Sequence, residues 1–278
     1  MLKALWHPGR IVPVLFSTFL TVGTILLCLP ISRTNGDEPP NVLAAAFTAV
    51  SASCVTGLTV VDTATYWTSF GHVVIMLLIQ VGGFGIMTMA TLLAILVGGR
   101  LGLSQKLIAQ NESHASSMGN VKAILRTVGI TVAITESVIA LVLGLRFYFG
   151  YGHSFGSAVW QGIFHSISAF NNAGFALYSD NIIGFNQDFW IMGPLCAAIV
   201  AGGLGFPVFY EIYKRWNVPD KWTVHAKITI LGYFGLMAIG CGGFALAEWN
   251  NPDTIGPMSL WGKFLNAMMG GITPRTAG

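Results

Sequence analysis

The amino-acid sequence predicts an all-α, polytopic membrane protein built from repeated units. Three observations carry that prediction. Of the 278 residues, 54% are hydrophobic and only 9% are charged, whereas a soluble domain carries about 25% charged residues. The apolar sequence is also divided into uncharged stretches of membrane-spanning length. Finally, the same loop motif and the same glycine-rich helix motif occur twice, in the same order.

The first stretch, Ile11 to Leu29, is uncharged over 19 residues, close to the ~20 that cross a bilayer core. Lys3 and Arg10 precede it, as basic residues precede a signal peptide. Its length, Pro13 and the lack of a small-x-small cleavage site before Pro30 favour a retained helix. Further spans are predicted at Gly71–Gly99, Thr127–Leu145, Phe189–Tyr210 and Ile228–Ala247, with Glu136 the one charge inside them. That gives five crossings. Two other uncharged segments, Pro39–Val61 and Phe147–Ser179, turn glycine-rich and polar where a spanning helix would remain apolar. Polar backbone at membrane depth survives only when buried in protein or lining water. Both segments are therefore predicted to be re-entrant, a half-helix followed by an extended return.

The basic residues agree with this count. With a cytoplasmic N-terminus, Lys3, Arg10, Arg100, Lys106, Lys122, Arg126, Lys214, Arg215, Lys221 and Lys227 lie inside. Only Arg33, Arg146, Lys263 and Arg275 lie outside, as the positive-inside rule requires. The loops then re-enter from the outside. Lys214-Arg215 and Lys221–Lys227 are most simply the inner flank of a span, with docking of a cytoplasmic partner as the alternative.

The repeat organises the chain into units. Gln80-Val81-Gly82-Gly83-Phe84-Gly85 matches Val200-Ala201-Gly202-Gly203-Leu204-Gly205, 120 positions later. Phe47–Leu58 aligns without a gap on Phe164–Phe175, placing Gly57 on Gly174, 117 positions apart. A third outer helix precedes Phe264–Met269 and Thr273-Pro274-Arg275-Thr276-Ala277-Gly278, which puts Gly278 in register 104 positions after Gly174. The units are 1–110, 111–217 and an incomplete 218–278, each reading outer helix, pore half-helix, filter loop, inner helix. The third is expected to stop before its inner helix.

Such a unit suits a dehydrated cation. An ion crossing the bilayer exchanges its water for fixed oxygens, and backbone carbonyls at the mouth of a half-helix supply them. The half-helix C-terminus directs partial negative charge towards the cavity below. Glycine in the return accepts backbone angles that aim carbonyls at the axis. The Gly-Gly-x-Gly runs have a plainer explanation in close helix packing, in which small residues also let inner helices bend or leave room for water, and Pro207 is expected to kink its helix. Glu136 is either functional, as buried ionisable groups in membranes often are, or simply paired with a neighbouring hydroxyl or backbone group.

Other classes find less support. Cys28, Cys54, Cys196 and Cys241 have no metal-ligand spacing, and the six histidines, His72, His114 and His165 among them, form no zinc motif. No nucleophile, GxSxG or HExxH constellation appears, so no enzymatic activity is expected, and no cofactor. A net charge of +3 is too small and dispersed for nucleic acid. A broken-helix solute carrier would have inverted repeats, whereas these run in one direction; a non-conducting structural subunit is the other alternative.

The unit order, with Trp6-His7-Pro8-Gly9-Arg10, Leu29-Pro30, Cys54-Val55-Thr56-Gly57-Leu58, Asn171-Asn172-Ala173-Gly174-Phe175 and Pro274-Arg275-Thr276-Ala277-Gly278, resembles the Trk/Ktr/HKT superfamily of potassium transporters over essentially the whole chain. It is most similar to the Ktr-type membrane subunit. The resemblance implies a pseudo-fourfold pore of four such units, a plasma-membrane homodimer in contact with lipid, and a cytoplasmic nucleotide-binding ring subunit as regulator. It implies potassium uptake, with sodium as a candidate co-ion. It places the selectivity filter at Val55, Thr56 and Gly57, at Asn172, Ala173 and Gly174, and at Thr276, Ala277 and Gly278, flanked by Cys54, Asn171 and Arg275. The chain is then expected to be a C-terminally truncated form, without the third inner helix and the fourth unit. One glycine per unit should also give a looser filter that passes appreciable sodium.

Overall fold

The computed structural model describes residues 8–98 and 117–276. Among these residues the regular secondary structure is helical, apart from an isolated antiparallel bridge between Arg33 and Trp67. Helix α1 (Pro8–Cys28) is followed by a 3-10 turn at Pro30–Ser32 and by α2 (Val42–Ser53). A single turn at Thr63–Tyr66 leads into α3 (Ser69–Gly98). Next come α4 (Ser117–Tyr151), α5 (Phe155–Phe170), α6 (Phe189–Leu204), α7 (Phe206–Arg215) and α8 (Val224–Glu248). The last helix, α9 (Leu260–Ile272), runs into a 3-10 turn at Thr273–Arg275.

Length divides these helices into two kinds. α3, α4 and α8 have 30, 35 and 25 residues, enough at ~1.5 Å per residue to exceed a ~30 Å hydrocarbon core. Within the described residues, Arg126–Tyr151 and Val224–Glu248 are both long and apolar enough to cross a membrane. α8 turns much of its apolar surface outward, with Leu231 75%, Ile239 72% and Leu246 88% exposed. Such a face costs little in lipid and much in water. By contrast, α2, α5 and α9 have only 12, 16 and 13 residues, or roughly 18–24 Å, too short to span. Each starts at a side-chain cap. Asn41, Ser154 and Ser259 accept from the N–H groups of Ala44, Ser157 and Gly262 at 3.0, 3.4 and 3.1 Å, satisfying donors that the first helical turn leaves open.

Two boundaries differ from the expectation drawn from sequence. Phe147–Tyr151 belongs to α4 rather than to a re-entrant segment. The helix continues because Phe147 is buried, and because Arg146 Nε and the Tyr151 hydroxyl both bond Asp188 Oδ2, at 2.7 and 3.0 Å. It is followed at once by Gly152, whose φ of 68° suits a helix terminator. The span predicted over Phe189–Tyr210 is divided. Gly205, at φ 76° and ψ 155°, separates α6 from α7. Pro207 then sits in the first turn of α7, where its missing N–H breaks no helical bond. The break is thus made by glycine, and the proline starts the following helix.

The buried core forms two clusters. One joins Leu27 of α1, Ala45, Ala49 and Ala52 of α2 and Val74, Ile75, Leu78 and Ile79 of α3 to Phe164, Ala173 and Phe175 from the next unit. The other joins α4, α5 and α6 through Val132, Leu143, Phe170, Leu195 and Ile199, and adds Ile272 of α9. Each core therefore includes side chains from the following half-helix or its loop. Glycine makes the closest approaches possible. A Cβ on Gly82 would collide with the carbonyl of Ser53, the last residue of α2, and one on Gly202 with the carbonyl of Phe170, the last residue of α5. Gly82 and Gly202 thus seat α3 and α6 against the ends of α2 and α5. Gly202→Ala should cost about 1–3 kcal/mol through overpacking, measured as a lower melting temperature in detergent. Gly235→Ala, whose new methyl meets nothing within 4 Å, should stay within about 0.5 kcal/mol of the parent.

Candidate functional site

The candidate site is built from the chain leaving α2 and α5. Both exits use the same hydrogen bonds. Cys54 N donates to Val50 O at 2.8 Å, Val55 N to Ala52 O at 3.2 Å and Thr56 N to Ser51 O at 2.8 Å. In register, Asn171 N donates to Ile167 O at 3.0 Å, Asn172 N to Ala169 O at 3.0 Å and Ala173 N to Ser168 O at 2.7 Å. The backbone angles repeat too. Val55 and Asn172 have φ of 56° and 59°, and Gly57 and Gly174 have φ of 75° and 72°. A β-branched residue in the left-handed region is an outlier, and holding one there costs on the order of 1–3 kcal/mol. The first loop therefore spends stability on this main-chain shape, whereas the second reaches it with asparagine, which tolerates the left-handed region.

That shape leaves carbonyls free. Among the described residues, no hydrogen bond is accepted by a backbone carbonyl of Cys54, Val55, Thr56 or Gly57, nor by one of Asn171, Asn172, Ala173 or Gly174. Buried carbonyls normally find partners, and Asn171 and Ala173 are buried. Two runs of open acceptors thus stand at the C-terminal, electronegative ends of α2 and α5.

The third exit matches in part. Thr276 N donates to Thr273 O at 3.0 Å, in register with the bonds of Val55 and Asn172. Pro274 lies in a 3-10 turn, however, and Thr276 has φ −131° rather than a left-handed angle. Ala277 and Gly278 lie outside the described residues. Thr276 lines a cavity with Asn172, Gly174, His165, Ser168 and Met269, so the second and third exits meet there. Val55, Thr56 and Gly57 do not line it. The first two loops are instead tied beyond these positions, where the Ser179 hydroxyl donates to Asp62 Oδ2 at 2.5 Å.

The second loop is held from behind. The Ser168 hydroxyl donates to Phe175 O at 2.6 Å, and Leu177 N donates to His165 Nε2 at 3.2 Å. With its amide turned to suit its neighbours, Asn172 donates to Ile199 O and accepts from Gly203 N, each at 3.2 Å. Those two groups stand four residues apart in α6, just before the helix ends. Among the flanking residues, Cys54 is exposed, whereas Arg275 donates from Nη1 to Tyr233 O at 2.9 Å and lies over the Tyr233 ring at 4.5 Å. Asn171 Nδ2 reaches Glu136 Oε1 at 3.0 Å and Gln80 Oε1 at 3.3 Å. Sequence alone left Glu136 outside the site and did not single out Gln80. A lone carboxylate in an apolar span was the available signal, but its partner was not legible.

Comparison with known proteins gives the arrangement a family. Residues 17–249 match the family model TrkH, described as a cation transport protein. The chain belongs to the TrkH cation transport family. Its relatives include the Ktr system potassium uptake protein B of Bacillus subtilis (strain 168), 35% identical over 98% of this chain and 60% of its own length. The protein of the same name from Vibrio alginolyticus is 34% identical over 99% of this chain and 60% of its own. The potassium/sodium uptake protein NtpJ of Enterococcus hirae is 31% identical over 98% and 59%. The chain thus spans about three fifths of the length of these TrkH relatives. Family membership and the outward apolar surface together place the chain in a membrane.

The tie between the first two TrkH loops has a pH signature. Hydrogen bonding from Ser179 holds the Asp62 carboxyl below its ordinary value of 3.8. A depressed carboxyl stabilises the fold fully above its unfolded value and loses that contribution as pH falls through the folded one. Ser179→Ala should therefore lower stability near neutral pH, by a difference that shrinks as the pH falls below the ordinary carboxyl value of 3.8, as thermal unfolding across that range would register. Because Asp62 is solvent-facing, the difference should be small.

Proposed function

We propose that this chain carries three filter segments of a potassium-uptake protein, in which the ion passes through backbone carbonyls of Val55, Thr56 and Gly57, of Asn172, Ala173 and Gly174, and of Thr276, Ala277 and Gly278. The observation that carries this reading is the duplicated main-chain geometry after α2 and α5, with its unaccepted carbonyls. Main-chain oxygens replace hydration water without placing a fixed charge in the path, which suits a monovalent cation that must also leave. The names of the relatives, potassium uptake proteins and a potassium/sodium uptake protein, favour potassium with some sodium passage.

In this reading residues 1–110, 111–217 and 218–278 are the first, second and part of the third of four units around a pseudo-fourfold axis. The N-terminus is cytoplasmic, two copies form a dimer, and a cytoplasmic nucleotide-binding ring regulates flux. Opposing half-helix termini and a shared axis give each unit a reason to repeat, because four short segments are needed to surround an ion that one segment cannot enclose. The chain's role is passage and selection, with no covalent chemistry and no bound cofactor.

Gly174→Ser tests the assignment. A side chain at φ 72° is strained whatever its surroundings, so the loop must rearrange. In the full-length protein, expressed in a bacterium lacking its own potassium uptake, this variant should lower potassium affinity or the potassium-to-sodium flux ratio by on the order of tenfold. Unchanged affinity and ratio would remove the filter assignment. Failure of the parent to restore growth on low potassium, despite membrane expression with its regulatory subunit, would favour a non-conducting subunit.

A further inference from the structure

Behind the second loop lies a polar contact set that the filter assignment leaves without a role. Asn171, the residue that ends α5, is buried at 4% exposure, and its Nδ2 has three acceptors: Ile167 O at 2.9 Å, Glu136 Oε1 at 3.0 Å and Gln80 Oε1 at 3.3 Å. The three side chains come from three different elements. Gln80 is on the first inner helix α3, Glu136 on the second outer helix α4, and Asn171 at the second filter. Glu136 is itself buried, and its main-chain oxygen accepts from the Ser166 hydroxyl of α5 at 2.6 Å. Gly83, three residues beyond Gln80 and so on the same face of α3, leaves the space Asn171 fills. A Cβ on Gly83 would collide with Asn171 Oδ1.

Resting on the filter reading above, we propose that Glu136 is a positioning residue for selectivity: with Gln80 it clamps the Asn171 amide and so fixes the main chain of Asn172, Ala173 and Gly174. The physical case has two parts. Asn172 leaves the helix at φ 59°, a left-handed angle that asparagine tolerates, so where the loop turns is set by the residue immediately before it, and that residue is the one anchored. A carboxyl group in an apolar span is also expensive. Mere helix packing would be served as well by an apolar side chain, whereas an acceptor fixed opposite a buried amide donor defines direction as well as distance.

The clamp crosses a unit boundary. Gly82 of α3 faces its own half-helix, while the adjacent Gly83 faces the following filter. The next inner helix shows a related division: Gly202 meets Phe170 O of its own half-helix, and Gly203 meets the ring and hydroxyl of Tyr233, whose carbonyl holds Arg275. Asn171 and Arg275 occupy equivalent flanking positions. A shift of α3 would therefore be felt at the second filter, through Gln80 and Gly83, as well as at the first through Gly82.

The test uses the full-length protein and reads potassium, rubidium and sodium flux together with melting temperature in detergent. Glu136→Leu should reduce potassium affinity or the potassium-to-sodium ratio by on the order of tenfold, the usual scale for loss of a group supporting an ion ligand. Glu136→Gln, which keeps an acceptor for Asn171, should recover most of that loss. Combining Glu136→Leu with Asn171→Ala should cost little more than either alone, since both remove one contact. Glu136→Leu that lowers only the melting temperature, with affinity and ion ratio intact, would overturn the proposal, as would Glu136→Gln no better than leucine. Gly174→Ser, measured alongside, separates the two readings. If it alters selectivity while Glu136→Leu does not, the clamp fails and the filter stands; if neither alters it, the filter assignment has failed.

Discussion

A helix end leaves carbonyls with no partner inside the helix, and how two such ends are packed governs the rest of the structure. α2 and α5 stop at Ser53 and Phe170, and each end is met by a glycine of an inner helix, Gly82 or Gly202, close enough that no β-carbon fits between them. The seat fixes where the half-helix ends. It also fixes where the following four residues begin, and those residues carry the left-handed angles and the open carbonyls. Remove the close approach and the loop has no fixed starting point.

Support for the second loop comes from several directions, and most of it is polar. Ser168, His165, Asn171 and Asn172 all bond main-chain or side-chain groups outside residues 172–174. In water such bonds would compete with solvent and contribute modestly. At low dielectric each leaves a costly orphan if broken, so the network resists deformation more than its number of bonds would indicate. Glu136 belongs to this scheme, because its carboxyl meets an amide that directly precedes the loop. The third exit, with Pro274 in a 3-10 turn and Arg275 stacked on Tyr233, departs from the other two through different chemistry. Proline removes the N–H that a regular helix end would use, and a guanidinium needs a ring and carbonyls where an amide needs only acceptors.

Much of this was legible in the residues. The long helices followed from runs without charge, and the half-helices from segments that turn polar too early to span. Alignment of Gly57 with Gly174 located the left-handed positions, since glycine in a fixed register points to a required angle. Other features were not legible. Val55 and Asn172 share a left-handed φ although nothing about valine announces it; surrounding contacts impose the angle against its preference. Phe147–Tyr151 was assigned to the wrong element because Arg146 and Tyr151 extend α4 through Asp188, a residue far along the chain. Pro207 drew attention to the right place but not to the right cause, as Gly205 makes the break.

Sequence by itself determined the class of protein, its helical character and two of the turning glycines, Gly57 and Gly174. These are local or periodic properties, set by how hydrophobicity, charge and backbone freedom vary along one chain. Tertiary structure alone decided what each inner-helix glycine faces, which carbonyls remain open, and that Gln80, Glu136 and Asn171 meet. Those facts depend on three helices from two units converging at one point, and no spacing along the sequence encodes such a convergence.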